Sequence, residues 1–488
     1  MSEKIKNILD KYPDFKANIG IEIHVQLKTE SKIFCSCPNK FGEKPNENIC
    51  PVCAGYPGVL PVLNKKVVDF AIMLGIATNC NLSPVSRFAR KHYMYPDLPK
   101  NYQITQNEPP ICQNGFISIE LDDEQEKKIN IKRIHIEEDA GKNIHASTDY
   151  SYVDLNRAGT PLLEIVSQPD ISNSNEAKLY LTRLKSTVQY LNISDANMEE
   201  GSFRGDINIS VRRKDEKELG TRVELKNINS FKFIVQAIEY EIERQIKVIK
   251  NNEKITQETR TWDSKEHKSI IMRSKEEAAD YRYVAEPDLP LIVIDEEWLE
   301  KIKLQIPELP HQKIKRFKTD YNLSSYETEI LINDVTLANY FEEVIKHCNL
   351  HKKVSNWILR DLLAYLKEKK INLDQLKITP QNFALLILDI ENGIINTKIA
   401  QEVFINMAET GKSSKDIIKE QGLEQVENKE ELENIIINII KENPDLVSNY
   451  RAGKERLFSF FVGQTMKETQ GKGNPKTIQE LIKKHLNN

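Results

Sequence analysis

The stretch Gly20-Ile21-Glu22-Ile23-His24-Val25-Gln26-Leu27 decides how the first half of this 488-residue chain folds. Successive side chains of a strand point to opposite faces, so Ile21, Ile23, Val25 and Leu27 share one face while Glu22, His24 and Gln26 share the other. One face requires a core, and the other presents ligand-type groups. Taken alone, the stretch fits an ordinary half-buried strand with a solvated polar face. Its surroundings point further.

The strand runs into Cys35-Ser-Cys37 and Cys50-Pro-Val-Cys53. A C-x-C and a C-x2-C knuckle suit four thiolates around a tetrahedral zinc, and four protein ligands leave no position open for water, so a structural site is expected. A redox C-x-x-C pair would more often stand alone in a βαβ context. The chain has seven cysteines, and the other three, Cys80, Cys112 and Cys348, are scattered thiols expected to pack.

With 39% hydrophobic and 29% charged residues the chain is too apolar for disorder and too long for one core, so about three domains are expected. The first fifteen or so residues lack an apolar segment, and no run of about eighteen apolar residues occurs; a secretory leader and a membrane span are not expected, and the cytoplasm is. A net charge of -4 and a pI near 6.2 exclude a generic electrostatic nucleic-acid binder, so any such site must be a local basic patch.

From Asn18 to about Pro290 short alternating runs and Gly/Pro turns predict one mixed α/β domain with few long helices. Within it Ser230 caps a helix whose Phe231, Ile234, Ile238, Ile242, Ile246 and Ile249 form a core-facing stripe. Leu291 to Ile294 reads as a closing strand, and Pro307-Glu-Leu-Pro310 as a boundary. Helices follow, one with Thr379 as cap, Pro380 in its first turn and Gly393 as stop. Short helices separated by Gly-Lys and Asn-Pro elements make up the end, with Asn474-Pro475 opening the final one. The expected class is α+β, divided into residues 1–295, an all-α domain at 296–408 and a small helical tail module at 409–488.

Two acidic stretches join the opening strand. Around Ile134 and Ile136 a second strand places His135, Glu137 and Asp139 on the opposite face, and Glu164 lies inside the aliphatic run Pro161 to Val166. A carboxylate in such a run is costly unless paired or bound to a cation. Singly these acids are surface groups or ion-pair partners; together Glu22, His24, Glu137 and Glu164 supply mostly hard oxygen donors, which suit Mg2+ or Mn2+ held with a nucleotide's phosphates better than a catalytic zinc. The usual ATP motif is absent, since neither Gly141-Lys142 nor Gly411-Lys412-Ser413 has the upstream glycine of a P-loop. Residues alone define a metal-dependent enzyme of unstated substrate.

Four motifs now carry a resemblance: Asp154-x-Asn156-Arg157-x-Gly159-x-Pro161-Leu162-x-Glu164, Gly20-Ile-Glu22-Ile-His24-Val25, His135-Ile-Glu137-Glu138-Asp139-Ala-Gly141-Lys142 and Met198-Glu-Glu-Gly-Ser202. With them the whole chain resembles the B-subunit family of the bacterial aspartyl/glutamyl-tRNA amidotransferases. The resemblance implies a cradle-shaped catalytic domain, a helical domain and a tail that grips tRNA. It implies a heterotrimer with an amidase (A) subunit and a small (C) subunit, in which ATP activates the side-chain carboxylate of Glu-tRNA(Gln) or Asp-tRNA(Asn) and ammonia from glutamine replaces the phosphate. By the same resemblance His24, Glu137 and Glu164 hold Mg2+, with Glu22 at a second metal or near the nucleotide. It also implies that Cys35, Cys37, Cys50 and Cys53 hold a structural Zn2+.

Lys91, Asn156 and Arg157 are assigned to the ATP or tRNA end. Lys91 belongs to Ser86-Arg-Phe-Ala-Arg-Lys-His-Tyr-Met-Tyr95, which interleaves cations with aromatics. The basic residues of the tail, Arg451, Lys454, Arg456, Lys472 and Lys476, are expected at tRNA phosphates or on a solvated helix face. The rival from another class is a noncatalytic zinc-ribbon RNA-binding scaffold, which has no need of carboxylates in aliphatic runs.

Overall fold

The computed structural model describes residues 7–121, 125–144, 150–274, 281–423, 429–469, 473 and 475–487. The chain divides into two compact units, Met1–Lys313 and Ile314–Asn488. The first is built on a 12-stranded mixed sheet. Its strands include β1 (Phe15–Gln26), β2 (Ala89–His92), β3 (Tyr102–Thr105), β4 (Cys112–Glu120), β5 (Glu126–Glu138), β6 (Pro161–Ser167), β7 (Phe203–Arg213), β8 (Val223–Ile228), β9 (Glu258–Asp263), β10 (Lys268–Ser274) and β11 (Val284–Ala285). The order along the sheet is β10-β9-β8-β7-β1-β6-β5-β3-β2-β11, with β4 also paired to β5. The expected α+β class holds: this sheet and its helices precede a helical C-terminal region.

The opening strand lies inside the sheet, flanked antiparallel by β6 and β7. Ala17, Ile19, Ile21, Ile23 and Val25 are buried, and they share one core with three helices, α1 (Lys65–Ala77), α2 (Ser174–Tyr190) and α3 (Phe231–Lys250). The predicted α3 is present as read, with Ser230 Oγ accepting from Phe233 N at 3.2 Å and Ile234, Ile238, Ile242 and Ile246 buried. The expectation of few long helices missed α1 and α2. In α1 nearly every position from Val67 to Ala77 is buried, so its apolar residues surround the helix and leave no stripe to read. Residues Leu291 to Ile294 contribute only Ile292–Val293, which pairs with Val85–Ser86 outside the large sheet. Truncating Ile238 to alanine, far from the polar face, should cost about 2–5 kcal/mol, read as a lower urea midpoint at an unchanged slope.

In the second unit, α4 (Pro380–Glu391) starts where Thr379 Oγ1 accepts from Asn382 N at 3.2 Å, and Gly393 takes a φ of 74° just beyond its end. Toward the C-terminus α5 (Lys429–Glu442), α6 (Phe458–Glu468) and α7 (Pro475–Asn487) enclose a separate core of Leu432, Ile436, Ile439, Phe461, Ile478, Leu481, Ile482 and Leu486. Asn474 and Lys472 lie outside the described residues, as does the side chain of Lys476.

Candidate functional site

Antiparallel register brings the distant acids together. His24 on β1 stands directly opposite Glu164 on β6, and Glu164 opposite His135 on β5. Opposed residues share a face, so their side chains meet on the side of the sheet away from the helices. Two residues along β5, Glu137 lies opposite Leu162 on β6 and Thr105 on β3. His24 Nε2 is 3.3 Å from Glu164, 3.6 Å from Glu137 and 4.0 Å from Glu22, while His135 Nε2 is 3.6 Å from Glu164 and 3.8 Å from Glu137. Glu22, His24, Glu137 and Glu164, named from sequence, thus form one cluster, and Glu164 belongs both to a Glu22-His24-Glu164 group and to a His135-Glu137-Glu164 group.

The electrostatics follow from burial among like charges. Burial and then the Glu164 charge push the Glu22 carboxyl up. Burial would lower the His24 imidazole, but its hydrogen bond to Glu164 and the charges of Glu164, Glu137 and Glu22 outweigh it and hold the group at about 9. For Glu164 burial is opposed by the His135 and His24 charges and the His24 hydrogen bond, which keep it well below the ordinary carboxylate range. The donor set fits a hard divalent cation: Glu137 and Glu164 are 3% and 5% exposed, and His135 Nδ1 is buried without a hydrogen-bond partner among the described residues.

Lys91 on β2 faces this cluster, where the charges of Glu137 and Glu164 outweigh burial and raise its ammonium above the usual value. Its Nζ also lies 4.9 Å from the Tyr281 ring centre and 6.0 Å from that of Tyr93. Among the described residues neither Asn156 nor Arg157 pairs with Glu22, Glu137 or Glu164, and Arg157 Nε lies 3.6 Å from Asp139. Asn156 accepts from Asn48 N at 2.8 Å and donates to the Lys44 carbonyl at 2.6 Å, while Arg157 donates to the Ala140 and Gly141 carbonyls at 3.0 and 2.6 Å. Arg157 braces the turn that follows Glu138, and Asn156 ties the neighbouring loop to the cysteine knuckle. In the sequence His135 and Asp139 fall on the polar face without an assigned part, and Arg133 and Arg204 pass unremarked. The alternation His135-x-Glu137 was the available signal for His135; Arg204 had none, because its position follows from pairing across the sheet.

The four cysteine sulfurs lie within 4.8 Å of one another, with Cys53 Sγ 4.0 Å from both Cys37 and Cys50. A tetrahedron with Zn–S bonds of about 2.3 Å has edges of about 3.8 Å, so the cage fits zinc. A hydrogen bond from Cys35 and the Lys32 charge, among other contacts, hold the Cys53 thiol well below its ordinary value against burial. Gly159, at a φ of 81°, passes so near the cage that a Cβ would lie 3.6 Å from Cys53 Cβ and from Lys32 Cδ. Cys112 and Cys348 are buried packing thiols, and Cys80 is half-buried.

A sheet with a buried row of carboxylates and imidazoles, beside a tetracysteine cage and ahead of a helical region, defines an α+β protein with two candidate cation sites. Comparison with known proteins gives the family: residues 17–300 match the model of the GatB/GatE catalytic domain and residues 339–486 that of the GatB domain, so the chain belongs to the GatB/GatE family. It is 51% identical over 472 residues to the B subunit of the aspartyl/glutamyl-tRNA(Asn/Gln) amidotransferase of Thermodesulfovibrio yellowstonii, covering 97% of this chain and 99% of that one. The protein of the same name from Brachyspira hyodysenteriae is 50% identical over 480 residues, and that from Thermoanaerobacter pseudethanolicus 49% over 472, each with 97% and 99% coverage. No helix among the described residues is long and apolar enough to cross a membrane.

Proposed function

We propose that this chain is the carboxylate-activating subunit of a tRNA-dependent amidotransferase. It takes Glu-tRNA(Gln) or Asp-tRNA(Asn), phosphorylates the side-chain carboxylate with ATP and transfers the acyl group to ammonia, with inorganic phosphate leaving. The observation that carries this is the convergence of Glu22, His24, Glu137 and Glu164 from three strands on one face. A noncatalytic RNA-binding scaffold would leave these carboxylates without use.

Glu137, Glu164 and His24 would hold Mg2+, with Glu22 at the edge of the group toward a second cation or the nucleotide. The bound cation supplies charge neutralisation for the transferring phosphoryl group. His135, opposite Glu164 in the register, fixes the two inner carboxylates, and the sheet backbone holds all of them without reorganisation. Lys91 offers a further positive charge beside Glu137 and Glu164. A carboxylate is a poor electrophile, and phosphorylation converts its oxygen into a leaving group for ammonia. Ammonia would come from glutamine through the amidase (A) subunit, with a small (C) subunit completing a cytoplasmic heterotrimer. Cys35, Cys37, Cys50 and Cys53 would hold a structural Zn2+. The test is ATP cleavage by the reconstituted complex with and without misacylated tRNA: a metal-dependent phosphohydrolase would turn over ATP equally in both, which sinks the proposal.

For domains we propose residues 1–295 as the catalytic part, 296–408 as a helical part and 409–488 as a tRNA-gripping tail; the separate core under α5, α6 and α7 supports the last. Within the tail Arg451 closes the module, donating from Nε to the Leu486 carbonyl at 2.9 Å, while Arg456 is exposed and Lys454 reaches Asn449 at 2.9 Å from an exposed position. Deleting residues 409–488 from the complex should weaken tRNA binding at least about tenfold, through the lost phosphate contacts, and leave ATP binding unchanged. Undiminished tRNA affinity in a filter-binding titration would refute the tail assignment.

A further inference from the structure

The cross-strand row extends one strand beyond His24. Arg204 on β7 lies directly opposite His24, so its guanidinium rises from the same face as the imidazole. One nitrogen is anchored, Nη2 donating to Asp139 at 2.9 Å, whereas Nε and Nη1 meet no acceptor among the described residues. The anchor is itself fixed. Asp139 is 6% exposed and also receives Gln26 Nε2 at 2.8 Å, with Arg157 Nε at 3.6 Å. The Arg204 side chain is 32% exposed, so its open edge faces the polar side of the sheet. A guanidinium presents a planar fork of donors that matches phosphate, and here the carboxylate that holds it occupies only one corner.

We propose that Arg204 holds the phosphoryl group in transit from ATP to the aminoacyl carboxylate. This rests on the reading of the acidic cluster as the phosphoryl-transfer site. In that step an oxygen of the Glu or Asp side-chain carboxylate attacks the γ-phosphorus. The new O–P bond forms as the bond to the β,γ-bridging oxygen breaks, its electron pair leaves on ADP, no proton moves, and total charge is conserved. Negative charge gathers on the three non-bridging oxygens. Glu22, Glu137 and Glu164 would repel it, and a fixed cation at each end of the row opposes that repulsion: Lys91 on β2 and Arg204 on β7. Asp139 sets the direction of the fork before substrate arrives.

Arg204→Ala and Arg204→Lys in the assembled complex test this, with ATP and ADP affinities measured by equilibrium dialysis alongside tRNA-dependent ATP cleavage. Arg204→Ala should slow cleavage by about 10²–10³-fold, weaken ATP about tenfold and leave ADP within about twofold. Arg204→Lys, which keeps the charge and loses the fork, should recover only part of the rate. Free guanidinium should restore part of the rate lost in Arg204→Ala, and the variant should stay folded at the assay temperature with a lower melting temperature, because Asp139 loses its nearest cation. Equal weakening of ATP and ADP, or a wild-type cleavage rate, overturns the proposal, because a residue that only braces Asp139 cannot distinguish the two nucleotides. Glu164→Gln run in parallel separates the failures. If it keeps activity, the site itself is misplaced; if it is inactive while Arg204→Ala is unimpaired, the role of Arg204 alone is wrong.

Discussion

Glu164→Gln is expected to lower tRNA-dependent ATP cleavage and amidation by the complex at least about 10³-fold, the largest effect of any single change in this chain. The substitution keeps shape and volume and removes charge where it is most shared. Glu164 lies opposite both His24 and His135 in the register and belongs to both groups that could hold a cation. With an amide there, the one carboxylate that stands directly opposite both imidazoles in the register is lost. Glu137→Gln should follow it, since Glu137 approaches the same two imidazoles at 3.6 and 3.8 Å. Glu22→Gln should cost less, because Glu22 stands at the margin, 4.0 Å from His24, with its side chain 32% exposed. Melting curves of each variant check folding. Wild-type rates in Glu164→Gln would remove the site from this face of the sheet.

Cys53→Ser is expected to have the largest effect on stability, about 3–5 kcal/mol, together with loss of zinc from about one equivalent per chain. The cost comes from Lys32 as much as from the metal. Lys32 is fully buried, and its ammonium meets the Asn48 carbonyl at 2.7 Å, the Leu155 carbonyl at 3.3 Å and Cys53 Sγ at 3.5 Å. Among the described residues no carboxylate lies within 4.0 Å of it, and the Cys53 sulfur, whose thiol is held well below its ordinary value, stands in the place of its counter-charge. Removing Cys53 strands a buried cation, and Lys32→Met in the same chain should recover part of the loss. The knuckle also reaches the turn beyond Glu138: Asn46 N donates to Asp154 at 3.1 Å, Asn48 N to Asn156 at 2.8 Å, and Gly159 N to the Asp139 carbonyl at 3.0 Å. Elemental analysis with calorimetry checks this. A zinc-free wild-type chain that melts as the loaded one does would refute the structural role.

The sequence carries, in readable form, the alternation of β1, the cap and stripe of α3, the four-thiol spacing and the identities of the four ligand-type residues. Each of these is written in neighbours a few positions apart, where period and cap chemistry act directly. It determined the α+β order of the chain as well, through the change from alternating runs to helical periods. Helix α1 stayed hidden because a helix buried on nearly all sides has no amphipathic contrast. That Glu22, His24, Glu137 and Glu164 meet, that His135 and Arg204 extend their row, and that Asn156 and Arg157 brace loop and turn instead of pairing with Glu22, Glu137 or Glu164 follows from the folded sheet alone. The reason is physical: the row runs across strands, at right angles to the chain, and its members are set by hydrogen-bond register between segments far apart in the sequence.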